Sequence, residues 1–175
     1  TLGACFHFVY HASYWRPNYG ESVVKQKYWI LLAAGGSVSL LLSAIIFQYW
    51  ENLVPCKLCI WQRYPHVVAI AMSFVALRRP NSTFIILGSL TVLVSAGIGL
   101  YHVGVESRWW QGPVSCTSSS IEGMTTEDLF NQIMKSPVVR CDDIAWQFAG
   151  ISMAGWNVLL SIILAGFWLL ALRKR

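Results

Sequence analysis

Residues 28–50 read YWILLAAGGSVSLLLSAIIFQYW, an apolar stretch without one charged side chain. A bilayer's hydrocarbon core is about 30 Å thick and takes roughly 20 helical residues to cross, so this stretch alone is long enough to span it. Three more runs of the same kind follow: about Ile60 to Leu77 with Arg63 near its start, Ser82 to about Val105, and about Ala145 to Leu172. A backbone inside lipid must satisfy its own polar groups, which makes helices of all four runs. The expected fold is an all-α integral membrane protein, a bundle of four transmembrane helices over residues 28–175 with a long outer loop at about 106–143. Gly35–Gly36, Gly88, Gly97, Gly99, Gly155 and Gly166 fit close helix packing in such a bundle.

Composition agrees. The chain of 175 residues is 55 % hydrophobic and 12 % charged, with mean hydropathy +0.51. Such a chain has too few polar side chains to cover a water-facing surface. The net charge of +5 does not point to nucleic acid, because the basic residues cluster at the ends of the apolar runs. Lys25 and Lys27 precede the first run, Arg78–Arg79 join the second and third, and Arg173–Lys174–Arg175 close the chain. Four spans place these clusters on one side, which the positive-inside rule makes cytoplasmic, with both termini there. The opposite side then receives Glu51–Leu58 and the long loop, where Glu106, Glu122, Glu127, Asp128, Asp142 and Asp143 outnumber Arg108, Lys135 and Arg140. Tyr28–Trp29 on the inner boundary, and Tyr49–Trp50, Trp61, Tyr64 and Trp109–Trp110 on the outer one, are interfacial aromatics.

Within the loop, Thr125 with Asp128 has the shape of a helix start, Leu129, Phe130, Ile133 and Met134 recur at helical spacing, and Pro137 stops the run. A short helix is expected there, packed on the protein or lying among the headgroups. Residues 1–27 are aromatic, poorly patterned and without signal-peptide shape, and are expected to form a disordered or interfacial extension.

The chain has five cysteines: Cys5, Cys56, Cys59, Cys116 and Cys141. Cys56 and Cys59 form a C-x-x-C at the outer mouth of the second helix, and Cys116 and Cys141 flank the expected loop helix. On this topology those four face an oxidising compartment, where disulfides persist. Structural bridging is a reasonable reading for Cys116–Cys141 and a poor one for Cys56–Cys59, since a bridge across two residues removes little loop entropy. A four-thiolate zinc site wants two closely spaced pairs, and the second pair here is far apart with no His beside it. Redox-active disulfides are favoured by what surrounds Cys59. It lies in the first turn of a helix, where the dipole favours an anion, and Arg63 follows one turn later on the same face. Both stabilise a thiolate and raise its reactivity. An Arg within a span is a functional candidate, the plainer alternative being a side chain that snorkels to the interface. It also suits the carbonyl oxygen of a lipid-soluble ligand.

At these residues the sequence resembles the DsbB family of bacterial disulfide-bond formation proteins. The resemblance rests on Phe47–Gln48, on Pro55-Cys56-Lys57-Leu58-Cys59-Ile60-Trp61-Gln62-Arg63, on Cys116, and on Cys141 followed by Trp146, Phe148, Gly150, Met153 and Trp156. It covers roughly residues 28–175. The N-terminal extension, Cys5 and the divergent outer loop depart from the family pattern. The resemblance implies a four-helix bundle in the bacterial inner membrane that reoxidises a periplasmic, DsbA-like thioredoxin-fold oxidant. It further implies that Cys116–Cys141 accepts the partner's electrons, with Cys116 forming the mixed disulfide. Cys56–Cys59 takes them on, and Cys59 passes them to ubiquinone or menaquinone held near Arg63. Gln48, His102 and Met153 fall where the family lines its quinone site, although core packing explains such positions equally well. Two rivals stand beside this reading. A vitamin K epoxide reductase-like enzyme carries its loop cysteines before the C-x-x-C, not after it. A membrane scaffold with structural bridges leaves Arg63 unexplained.

Overall fold

The computed structural model describes residues 19–113, 125, 127 and 140–173, with the side chains of 19–22 left aside. Cys5, Cys116, the expected loop helix from Asp128 to Met134, and the basic pair Lys174–Arg175 lie outside the described residues. Among the described residues there are four long helices: α1 (Tyr19–Trp50), α2 (Lys57–Arg78), α3 (Ser82–Glu106) and α4 (Met153–Ala171). Each packs on its chain neighbours, and α1 closes on α4, giving an antiparallel bundle. Among the described residues three helices are long and apolar enough to cross a membrane: Val23–Trp50, Ser82–Glu106 and Met153–Ala171. Helix α2 has comparable length but carries Lys57, Gln62, Arg63 and His66 in its first half.

Two boundaries differ from expectation. Helix α1 begins at Tyr19, not Tyr28. Lys25, Gln26 and Lys27 are good helix formers, no proline intervenes, and the Gln26 amide donates to the Ala171 carbonyl of α4 at 3.0 Å. The fourth helix begins at Met153, not Ala145. The chain before it makes a small antiparallel hairpin, β1 (Gln147–Phe148) with β2 (Ile151–Ser152), in which Gln147 faces Ser152. Ala149 at φ 52° and Gly150 at φ 77° close it with both central residues left-handed, the two-residue turn whose twist matches that of the strands.

The helix starts are capped from within the chain. The Asn81 side chain accepts from Thr83 N at 3.0 Å and Ser152 Oγ from Gly155 N at 3.2 Å. At α2 the capping group is the Cys56 sulfur, which accepts from Cys59 N at 3.2 Å. Inside the bundle, Trp168, Ile30, Ile85, Val92 and Leu164 pack with alanines. A methyl group at Gly88 would meet the Trp168 ring at 2.5 Å, and one at Gly99 would meet Val158 at 2.8 Å, so these glycines permit α3 to approach α4. Gly35, Gly97 and Gly166 face open space and have no such role. Outside, Leu42, Ile46, Phe74, Leu90, Val94, Ile162 and Ile163 are exposed, while Ser37, Ser73, Ser95 and Ser161 are buried. That inversion suits lipid outside and hydrogen-bonded polar groups inside, and the three apolar helices fit a multi-pass membrane protein.

Candidate functional site

The site lies at the end of the bundle where α1 and α3 finish and α2 and α4 begin. A cavity of about 430 Å³ opens there. Its walls are largely apolar, with Leu40, Leu41, Ala44, Phe47 and Leu160 among them, and Cys56, Cys59, Arg63, Gln48, His102 and Met153 all line it. Six expected site residues from four helices and their flanks therefore share one cavity.

Cys56 and Cys59 form its reactive wall, their sulfurs 2.8 Å apart and hydrogen-bonded as thiols. One helical turn brings residues i and i+3 to the same face, so C-x-x-C spacing at a helix start makes this approach. The pair is unequal. Cys56 is buried, and its thiol is pushed up to about 12, first by its hydrogen bond to Cys59 and then by burial, so it keeps its proton. Cys59 is only partly buried and faces the cavity. Arg63 directs its guanidinium to α1, donating to Gln48 Oε1 at 2.9 Å and to the Ala44 carbonyl at 3.4 Å. Gln48 thus holds the guanidinium at the cavity wall.

His102 of α3 stands behind the pair. Its Nε2 is 3.6 Å from Cys56 Sγ and 3.8 Å from Glu106 Oε1, while Gln62 Nε2 is 3.0 Å from its Nδ1. With the Gln62 amide donating to Nδ1, the ring proton sits on Nε2, toward the sulfur. Cys141 is fully buried in one apolar cluster with Cys56, Leu58 and Val105, against which Cys59 packs. A loop cysteine and the C-x-x-C are therefore neighbours, although Cys141 does not line the cavity. Beside it Arg140 binds Asp142 at 2.6 and 3.0 Å, and the guanidinium holds that exposed carboxyl below the usual carboxylate range. Phe47, Trp146, Phe148 and Trp156 contact one another in succession at the mouth: Trp146 and Phe148 stack, and the other two pairs are tilted, with Phe47 and Trp146 ring centroids 4.9 Å apart.

A second polar cluster escaped the sequence reading. His66 is 1 % exposed, its Nδ1 is 3.3 Å from Ser37 Oγ, and its Nε2 lies 3.2 Å from Asn157 Oδ1 and 3.3 Å from Ser161 Oγ. Asn157 Nδ2 reaches the Ser95 carbonyl at 3.4 Å and Ser95 Oγ at 3.1 Å. A carbonyl only accepts, so this fixes the amide's orientation and puts Oδ1 toward His66, whose Nε2 must then carry a proton. Ser37, His66, Ser95 and Asn157 join all four helices. The signal was present in the sequence as His66 and Asn157 interrupting apolar runs, where a polar side chain asks for a partner.

Known proteins with similar sequences point to one family. The family described as disulfide bond formation protein DsbB matches residues 26–171. An uncharacterized protein, RP370, of Rickettsia prowazekii (strain Madrid E) is 32 % identical over 135 residues, covering 75 % of this chain and 78 % of that protein. Disulfide bond formation protein B of Shewanella sp. (strain MR-4) is 33 % identical over 137 residues, 75 % of this chain and 77 % of its own. The protein of the same name from Psychromonas ingrahamii is 29 % identical over 145 residues, 79 % and 78 % of the two chains. No solved structure matches the chain significantly. The matched region runs through all four helices and takes in the C-x-x-C, its arginine and the cavity around them, and on that footing the chain belongs to the DsbB family.

Proposed function

We propose that this protein is a protein-disulfide:quinone oxidoreductase of the bacterial inner membrane that supports disulfide bond formation in secreted proteins. On this reading α2 is the fourth span, both termini are cytoplasmic and the redox cysteines face the periplasm. The observation that carries the proposal is the dithiol Cys56–Cys59, 2.8 Å across, in the wall of a largely apolar 430 Å³ cavity that also presents a guanidinium. The names of the relatives supply the direction, since they are disulfide bond formation proteins.

The cavity fits a quinone headgroup: its volume lies in the range of small-molecule sites, its walls are apolar, and its few polar groups converge. A quinone bound there supplies a two-electron, two-proton acceptor soluble in the membrane. Arg63 and Gln48, already hydrogen-bonded to each other, are the groups placed to hold a carbonyl oxygen. Cys59, the more accessible sulfur, is the electron donor of the pair. Cys56 keeps its proton until the disulfide closes, when that proton leaves toward the acceptor, and the His102 Nε2–H beside the sulfur steadies the charge that develops on it. Upstream, a DsbA-like thioredoxin-fold dithiol attacks Cys116, and Cys141 leaves as thiolate. Cys141's place against Cys56 and Cys59 makes transfer between the two pairs a local exchange.

Arg63 tests the reading. Removing a hydrogen bond donated by a charged group costs about 1.5–3 kcal/mol. Arg63→Ala should therefore raise the Michaelis constant for quinone roughly tenfold to a hundredfold and leave that for the protein dithiol unchanged. Unaltered quinone kinetics would reduce Arg63 to an interfacial anchor and remove the proposed acceptor site.

A further inference from the structure

Cys56 Sγ, Cys59 Sγ and a ring nitrogen of His102 all lie within 4.8 Å of one another. Two thiols and an imidazole are a donor set for a soft or borderline cation. Tetrahedral zinc, with Zn–S about 2.3 Å and Zn–N about 2.0–2.1 Å, sets sulfur and nitrogen about 3.6 Å apart and two sulfurs about 3.8 Å apart. The Cys56 Sγ to His102 Nε2 distance is 3.6 Å, so one edge of the tetrahedron is already in place. The sulfurs, at 2.8 Å, must separate by about 1 Å, which a torsion of the half-buried Cys59 side chain supplies. The backbone positions are fixed: the cysteines open α2, and the histidine comes from the facing α3. Three protein ligands beside a cavity leave a fourth position open, with Glu106 Oε1 3.8 Å from the same ring nitrogen and its other oxygen accepting from Ser152 Oγ at 2.5 Å.

We propose that the reduced Cys56–Cys59 pair and His102 form a binding site for Zn²⁺, and that its occupation blocks the enzyme in the reduced state. Ligation breaks two S–H bonds, forms two Zn–S bonds and one Zn–N bond, and releases two protons to solvent. No electron moves. The disulfide form offers no thiolates and does not bind, so the cation acts on one redox state only. Gln62 takes part from behind: a metal on Nε2 leaves the proton on Nδ1, and the Gln62 amide turns its oxygen to accept it. Zinc binding depends on the dithiol and the histidine alone, whatever the electron acceptor is.

The test uses the full-length protein in detergent, reduced and freed of reductant, with Cys116→Ser and Cys141→Ser so that the loop pair cannot contribute. Titration with Co²⁺ should give one ion per chain, a thiolate-to-cobalt charge-transfer band and the intense visible absorption of a tetrahedral site, all bleached by Zn²⁺. Oxidised protein and Cys59→Ser should give none of this. His102→Gln should weaken binding at least tenfold, and Gln62→Glu, which orients the imidazole more firmly, should tighten it by about tenfold. Without any change at the site, one equivalent of Zn²⁺ should protect Cys59 from alkylation. Equal binding by the oxidised protein, an octahedral spectrum, wild-type affinity in His102→Gln, or unprotected Cys59 would each overturn the proposal. Quinone kinetics of the metal-free enzyme are a separate readout, so failure here leaves the redox proposal standing.

Discussion

Two histidines, His102 and His66, sit in the same bundle, both nearly inaccessible to solvent, and their surroundings differ in kind. His66 engages Ser37, Asn157 and Ser161 within 3.3 Å, so both ring nitrogens have hydroxyl or amide partners. It is a polar brace among apolar helices, and His66 and Asn157 also line the far side of the same cavity. His102 has a short contact to Gln62, a hydrogen bond with the Cys141 backbone, and near its Nε2 a sulfur at 3.6 Å and a carboxylate at 3.8 Å. Its second nitrogen faces a thiol and a carboxylate, groups able to ionise. Burial and residue type alone do not separate a structural histidine from a functional one; the partners on its two nitrogens do. The lower cluster joins four helices so that the upper one can hold two thiols in register.

The largest effect that sharpens this contrast lies in the thiols. Cys56 is pushed up to about 12, against an ordinary thiol value of 9.0. A thiol held that high stays protonated at neutral pH, and thiolate is the species that alkylates. Iodoacetamide titration of the reduced protein, read by mass spectrometry, should modify Cys59 first. Cys56 should stay unmodified across the neutral and mildly alkaline range, its reactivity rising only as pH climbs toward 12. Because Cys59 is the first cause of the shift, Cys59→Ala should bring Cys56 reactivity down to lower pH. Equal rates at both sulfurs would show that the pair is not polarised.

A smaller effect is expected at the brace. His66→Leu leaves Ser37, Asn157 and Ser161 short of a partner, and interhelical hydrogen bonds in membranes contribute about 1–2 kcal/mol at most. The melting temperature in detergent should fall, while turnover per folded molecule changes less than it does in Arg63→Ala. The opposite pattern, unchanged melting with lost turnover, would move His66 from the brace into the chemistry.

How much of this was legible in the sequence depended on the range of each signal. The C-x-x-C and Arg63 are local: one helical turn carries their geometry, so the thiol pair was readable at once. The start of α1 was not. Counting apolar residues finds where lipid contact begins, whereas a helix continues into water wherever residues such as Lys25–Gln26–Lys27 allow it. The hairpin before α4 was missed because two-residue strands are too short to show alternation, though Gly150 and the capping Ser152 marked the break. Gln48 and His102 were reached through family likeness alone, since their partners come from other helices. His66 and Asn157 have the same cause and no motif to name them: they are 91 positions apart and meet only once α2 lies against α4.

The central claim is that Cys56–Cys59 hands its electrons to a quinone in the adjoining cavity, and stoichiometry tests it most directly. A Cys116→Ser, Cys141→Ser protein, reduced and held without oxygen, is mixed with one equivalent of a soluble ubiquinone analogue, and quinol and free thiols are counted together. The account predicts one quinol formed per chain with both thiols lost to a Cys56–Cys59 disulfide, and no quinol when Cys59 is also replaced by Ser. Thiols that survive an excess of quinone, or quinol formed without Cys59, would contradict it.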